Sequence, residues 1–169
     1  MVADVLLPML VPRHRMAGFP RWAARFAVLL ASINCVAAVP ELPTNLAEYR
    51  GQVVVVDFWA SWCKPCRQSI PWLNELRARY GNQGLVIIGV NVDANRADAE
   101  KFQREVPIGF TVLYDPEGKM AEQFGLQGMP TTFVFDRDGK LAHSLLGYRE
   151  ARRADHETEI LALLKRKSS

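Results

Sequence analysis

Residues 53–59 read VVVVDFW, a run that is β-branched or aromatic except for one aspartate. A strand of that composition has no polar face to offer water, so it has to be buried on both sides. A second buried strand is expected over residues 85–92. Between them, residues 64–80 carry Leu73, Leu76 and Tyr80 on one helical stripe. Pro65 suits the first turn of that helix, Pro71 is expected to kink it, and Gly81 to stop it. Asn95 can cap a following helix with the stripe Ala99, Phe102 and Val106, broken by Pro107 and Gly109. A short strand is expected over 111–114 and a short helix over 117–124, with Met120 and Phe124 inward and Gly125 at its end. Strands over 131–135 and 140–146 flank Asp136-Arg137-Asp138-Gly139, a hairpin signal. Asp155 is expected to cap a last helix that buries Ile160, Leu161 and Leu164, with Lys165, Arg166 and Lys167 complementing its C-terminal dipole. Residues 41–52 read as a polar lead-in with a short strand and a turn at Gly51. Parallel crossovers followed by an antiparallel hairpin give an α/β fold, a mixed central sheet flanked by helices.

The 169 residues suffice for one domain and a tail. The formal charge is +3, and the excess lies at the N-terminal end. Arg13, Arg15, Arg21 and Arg25 stand there against Asp4, and the remainder balances its charges. No basic patch argues for nucleic acid. Arg21 and Arg25 instead precede FAVLLASINCVAA, and Val36-Ala37-Ala38 offers the small residues a signal peptidase needs. Residues 1–38 therefore read as an export signal, with Met16 as a candidate true start, and residues 39–169 as the domain. The apolar run is short of the roughly 20 residues of a membrane span; an uncleaved N-terminal anchor is the alternative. Cys35 falls inside the signal, without the small-residue context of a lipid-anchor site.

The domain then holds two cysteines, Cys63 and Cys66, in SWCKPCRQ directly after the buried strand. A structural disulfide, half a zinc site and a redox dithiol all use Cys-x-x-Cys. A zinc site needs four ligands, and His143 and His156 lack the spacing of a second pair. A disulfide closing so small a loop stabilises little. The redox reading has a physical basis, because the pair sits where a buried strand turns into a helix. There Cys63 would face the positive end of the helix dipole and its free N–H groups, which favour the thiolate, with Lys64 adding a cation. Cys66, one turn on, would lie deeper and could resolve a mixed disulfide formed at Cys63.

VVVVDFWASWCKPCRQSIP resembles the active-site segment of thioredoxin, and GMPTTFVFDRDGK resembles the loop and hairpin that face it in that fold. The extra helix after Val92 and the following DPEGKMAEQFG, together with an export signal, resemble the TlpA-like and ResA-like branch of exported thiol–disulfide oxidoreductases. The resemblance runs from about residue 42 to the C-terminus. It implies a thioredoxin-like fold with an added helix and strand, Cys63 as nucleophile and Cys66 as resolving cysteine. It also implies a cis bond before Pro130, which would expose the Met129 backbone to an extended substrate. Asp57 matches the aspartate that moves protons for the deeper cysteine, and burial should raise its pKa. Trp62 and Pro65 would border the substrate, whereas Trp59 is expected to serve packing.

Neither a metal nor an organic cofactor is implied; no Walker A or Gly-x-Gly-x-x-Gly string is present. The resulting expectation is a periplasmic reductase of disulfides in exported proteins, such as apocytochrome c or copper-delivery proteins. An inner-membrane electron donor would recharge it, and a membrane tether is the variant of that picture. A dithiol oxidase of the same fold, a non-catalytic copper carrier and a peroxide reductase stand as alternatives.

Overall fold

The computed structural model describes residues 44–166. The expected export signal, with its arginines and Cys35, lies outside the described residues, as does Lys167. Five strands, β1 (Val53–Trp59), β2 (Leu85–Asn91), β3 (Thr111–Tyr114), β4 (Thr131–Phe135) and β5 (Leu141–Leu146), form one sheet in the order β3-β2-β1-β4-β5. β1 pairs parallel with β2, and β2 parallel with β3. β1 pairs antiparallel with β4, and β4 with β5. The doubly apolar β1 is the central strand, and all seven of its residues are buried. Four α-helices lie among the described residues: α1 (Cys66–Tyr80), α2 (Arg96–Glu105), α3 (Lys119–Gln123) and α4 (Arg153–Lys165).

Alternation along β1 divides the core into two layers. Val53, Val55 and Trp59 pack with Ile70 and Leu73 of α1, Phe102 of α2 and Ile160 of α4. Val54, Val56 and Phe58 face the other way, onto Phe124, Phe133 and Phe135, with Met120 of α3 and Tyr49 closing the layer. Gly89 lets the first layer close: a Cβ there would stand 3.0 Å from both the Trp59 indole nitrogen and the Phe110 ring. Trp59, fully buried and 5.0 Å from Phe102 between ring centroids, packs as expected.

Several boundaries differ from the sequence reading. Residues 44–49 form a 3-10 helix rather than a strand, since TNLAEY lacks alternation and carries good helix formers. α1 starts at Cys66, with Pro65 at its cap position. Gly81 does not stop it: its φ of −54° stays right-handed, the chain continues as a 3-10 turn, and Gly84 at φ 90° makes the reversal. Asp155 is not the cap of α4, because a 3-10 turn over Glu150–Arg152 runs directly into Arg153. Asp155 lies in the first turn, where its charge suits the dipole and pairs with Arg152 at 3.1 Å. On α4 the buried residues are Ile160, Leu163 and Leu164; Leu161 is only half-buried.

The last carbonyls of α4 are met from elsewhere in the chain. Arg137, in the hairpin turn, donates to the carbonyls of Leu164 (2.9 Å), Arg166 (3.0 Å), Gly51 (2.7 Å) and Gln83 (3.1 Å). One guanidinium thus ties the hairpin, the entry to β1, the 3-10 turn that follows α1 and the end of α4. Charge-assisted hydrogen bonds are the stronger kind. Arg137→Ala should cost about 2–4 kcal/mol after allowing for partial exposure. Urea unfolding reads that loss directly, and a change below about 0.5 kcal/mol would show the tie to be idle.

No helix among the described residues is long and apolar enough to cross a membrane.

Candidate active site

The chain leaves β1 at Trp59, passes through residues 60–65 and enters α1 at Cys66. Cys63 and Cys66 are joined by a disulfide, with Cα atoms 5.3 Å apart. Both sulfur residues belong to the first core layer. Cys66 is fully buried and Cys63 is 4% exposed, so what accessibility there is belongs to Cys63. Trp62 beside it is 69% exposed, and Pro65 is exposed as well.

The free N–H groups expected at the head of α1 are already engaged. Cys66, Arg67 and Gln68 donate to the carbonyls of Cys63 (3.1 Å), Lys64 (3.3 Å) and Pro65 (3.0 Å). A proline at the cap has no side-chain acceptor, so the chain tightens into turns that satisfy these donors locally. What reaches Cys63 from the helix is therefore the summed dipole rather than a set of unpaired donors.

Asp57 alternates with Val55 and Trp59 and so points to the face that packs the two cysteines. It is fully buried. Thr132, its partner across the β1–β4 ladder, donates its hydroxyl to Oδ1 at 2.6 Å. Oδ2 has no hydrogen-bond partner among the described residues. Burial pushes the carboxyl up from 3.8 to about 7, against the lowering effect of the Thr132 hydrogen bond. A buried acid that changes charge near neutrality can accept or return one proton there.

The loop before β4 reaches the same end of the sheet, because Phe58 pairs with Thr131. Residues 128–130 therefore lie beside the segment emerging from β1. The Met129–Pro130 bond is cis. Thr131 Oγ1 donates to the Gly128 carbonyl at 2.7 Å, and Gly147 N–H donates to the Pro130 carbonyl at 2.7 Å. Met129 is half-buried against the layer that holds both cysteines, whereas Pro130 is buried.

Two features escaped the sequence reading. Leu146 is 67% exposed and pairs with Thr131 at the Pro130 loop. Its signal was present: it is a large apolar residue on the outward phase of β5, where Ala142 and Ser144 also point out. The second is a clamp on the cysteine loop. Ser61 donates to Asp93 twice, from N–H to Oδ2 (2.9 Å) and from Oγ to Oδ1 (2.8 Å). Asn91 adds Nδ2–H to Oδ2 at 2.7 Å, and the Asp93 N–H returns to Asn91 Oδ1 at 3.2 Å. Asp93 is 5% exposed and Asn91 fully buried. No short motif marks such a pair across 32 residues. Asp93→Ala would leave the Ser61 and Asn91 donors without their acceptor, costing about 2–4 kcal/mol. Loosening the loop two residues before Cys63 should also slow thiol exchange by about tenfold. Ser61→Ala, which removes only the hydroxyl arm, should lose about 1 kcal/mol. Urea melts and thiol-exchange rates on both variants check this, and equal effects would refute a bidentate clamp.

Among the described residues no cluster of three or more His, Cys, Asp or Glu side chains is placed to hold a metal.

A parallel-then-antiparallel sheet with a Cys-x-x-Cys pair at the β1–α1 junction and a cis proline beside it is a thioredoxin-superfamily arrangement. The family model described as the AhpC/TSA family matches residues 38–144, and the chain belongs to that family. Among curated proteins it is similar to the thiol-disulfide oxidoreductase ResA of Geobacillus thermodenitrificans, 36% identical over 103 residues. That match covers 61% of this chain and 59% of the relative, so the chain spans less than two thirds of the length of the curated relatives it matches. Among solved structures it is similar to a provisionally named thiol:disulfide interchange protein DsbE from Chlorobium tepidum, at 44% identity and a TM-score of 0.70. The match covers 75% of this chain and 94% of that one. A mycobacterial dsbF structure, at 23% identity and a TM-score of 0.62, shares the fold.

Proposed function

We propose that this chain is an exported thiol–disulfide oxidoreductase that reduces disulfides in other exported proteins. The observation that carries the reading is the asymmetric pair: a bonded Cys63–Cys66 in which only Cys63 touches the surface, at the head of a helix and above a buried acid. The relatives' printed names describe the same chemistry.

In the reduced protein the Cys63 thiolate attacks one sulfur of the substrate disulfide. A Cys63–substrate bond forms, the substrate S–S bond breaks, and the second substrate sulfur departs as a thiolate that takes up a proton. Cys66 then loses its proton to the Asp57 carboxylate and attacks the Cys63 sulfur. The mixed disulfide breaks, its substrate sulfur leaves as a thiolate that takes up the proton held by Asp57, and the two electrons the substrate dithiol has gained are balanced by the new Cys63–Cys66 disulfide. An inner-membrane dithiol donor returns the pair to the reduced form. Trp62, Pro65 and Met129 form the surface that receives the substrate, shaped from beneath by the buried Pro130, with the Met129 backbone available for strand-like pairing. Pro65 between the cysteines favours the reducing direction over oxidation. In this reading residues 1–38 direct export to the periplasm, by a cleaved signal or a retained anchor. Apocytochrome c and copper-delivery proteins are the substrate classes.

Cys66→Ser should halt the cycle at the mixed disulfide. Expressed in the native host, the variant should carry exported, cysteine-paired proteins that are released by reductant and identifiable by mass spectrometry. A non-reducing gel without such adducts would remove Cys66 from the resolving step.

A further inference from the structure

Past Leu146, the end of β5 and the start of α4 form an open cleft of about 300 Å³. Ser144, Leu146, Gly147, Arg149, Arg152 and His156 line it. Its inner end joins the site already described, through the Leu146–Thr131 pairing and the Gly147 to Pro130 hydrogen bond. β5 is the outer strand of the sheet, so an extended chain leaving the Pro130 loop can follow it into the cleft.

The charged side chains that line the cleft are basic. Arg149 is exposed, and its guanidinium has no carboxylate partner among the described residues. Arg152 pairs with Asp155 through Nε at 3.1 Å, which leaves its two terminal nitrogens available. Of the neighbouring acids, Glu150 is held by Tyr148 (2.5 Å) and Arg153 (3.4 Å), and Asp155 by Arg152; Glu159 lies near His156 as a counter-charge, with its Oε2 buried away from the cleft surface. Burial holds His156 below its ordinary pKa, so near neutrality it is a hydrogen-bonding group and the positive charge comes from the two arginines.

We propose that this cleft binds an acidic segment of the protein substrate, with Arg149 and Arg152 receiving carboxylates that lie next to the substrate cysteine. The proposal rests on the oxidoreductase reading and adds a specificity to it. Leu146 at the mouth takes an apolar side chain, and the arginines beyond it take the acid. Such exposed pairs are individually weak and fade with salt. Their effect is selection among partners and faster encounter rather than tight binding.

Two disulfide-bearing peptides that differ only in having two glutamates or two glutamines beside the cysteine test this, together with neutral hydroxyethyl disulfide. The full chain should favour the glutamate peptide by about three- to tenfold in kcat/KM at low ionic strength, converging near about 0.5 M salt. Arg149→Glu should erase that ratio and shift preference to a lysine peptide, a reversal that a folding defect does not produce. Chemical shifts of Gly147, Arg149 and His156 on adding a cysteine-free tetraglutamate peptide report the cleft without turnover. Equal turnover of both peptides, with no shifts at these residues, overturns the cleft assignment and leaves the oxidoreductase reading standing. Failure to reduce any disulfide overturns the oxidoreductase reading, and the substrate specificity falls with it even where the tetraglutamate shifts are seen.

Discussion

Cys63→Ser should reduce thiol–disulfide turnover by at least about a thousandfold while leaving the protein folded. The hydroxyl that replaces the thiol stays protonated at neutral pH and forms no stable bond to sulfur, so the first exchange step has no nucleophile. The structural loss is small by comparison. The disulfide closes a loop only three residues apart in sequence, and a closure of that size contributes about 2 kcal/mol at most. Insulin reduction measured beside far-UV circular dichroism separates the two effects. Native circular dichroism with no turnover is the expected pair of results, whereas retained turnover refutes Cys63 as the attacking sulfur. Alkylation of the reduced parent gives a companion readout. Cys63 should react faster than a free cysteine near neutrality because the α1 dipole stabilises its thiolate. Since the N–H groups of Cys66, Arg67 and Gln68 already have carbonyl acceptors, the acceleration should be moderate.

Asp57→Asn should abolish a steep fall of stability with pH. In the folded protein the carboxyl titrates at about 7, against 3.8 ordinarily. Between those values the folded chain keeps a proton that the unfolded chain has released. The unfolded state therefore gains by ionising while the folded state cannot, and stability falls as pH rises from about 4 to about 7. The span corresponds to about 4 kcal/mol lost, present in full at acid pH and gone above the folded pKa. Asparagine cannot ionise and still accepts from Thr132. It leaves its own N–H groups buried, at about 1–3 kcal/mol, so a net gain of about 1–3 kcal/mol is expected at pH 8. Urea unfolding of the oxidised protein at a series of pH values should show the parent falling and the variant nearly flat across that range. Turnover should move the opposite way: the parent rate rises as the carboxylate forms near neutrality, and the variant loses that rise. A parent whose stability is flat between pH 4 and pH 8 would show that Asp57 ionises at its ordinary value. Variant and parent with the same pH–rate profile would take it out of the proton path. A stabilising substitution that slows the reaction marks a residue kept for function.

The sequence carried the elements whose signals are local. The apolar run over residues 53–59 made β1 central, and β3 and β4 fall where periodicity placed them. Asn95 caps α2 as its position implied, its side chain accepting from the Ala97 N–H at 3.1 Å. The Cys-x-x-Cys spacing after a buried strand, with Pro130 downstream, pointed to the candidate site through a resemblance resting on short contiguous motifs. The failures share a different cause. Gly81 and Asp155 are residues with a strong local preference, overruled because a 3-10 turn continued through one and led directly into the helix holding the other. The lead-in over 44–49 had no sheet edge to join, since β3 and β5 end the sheet.

Other features were decided only in three dimensions, because each depends on groups far apart in the chain. Arg137 finds four carbonyls from three other segments, and Asp93 finds Ser61 across 32 positions. The buried carboxyl of Asp57 acquires its pKa from the layers that close over it. Leu146 comes to lie beside the Pro130 loop because β5 returns beside β4. Local sequence fixes which face of an element is apolar, since that follows from backbone period alone. Which distant polar group meets which is set by packing, where a donor left unpaired costs more than a pair gains.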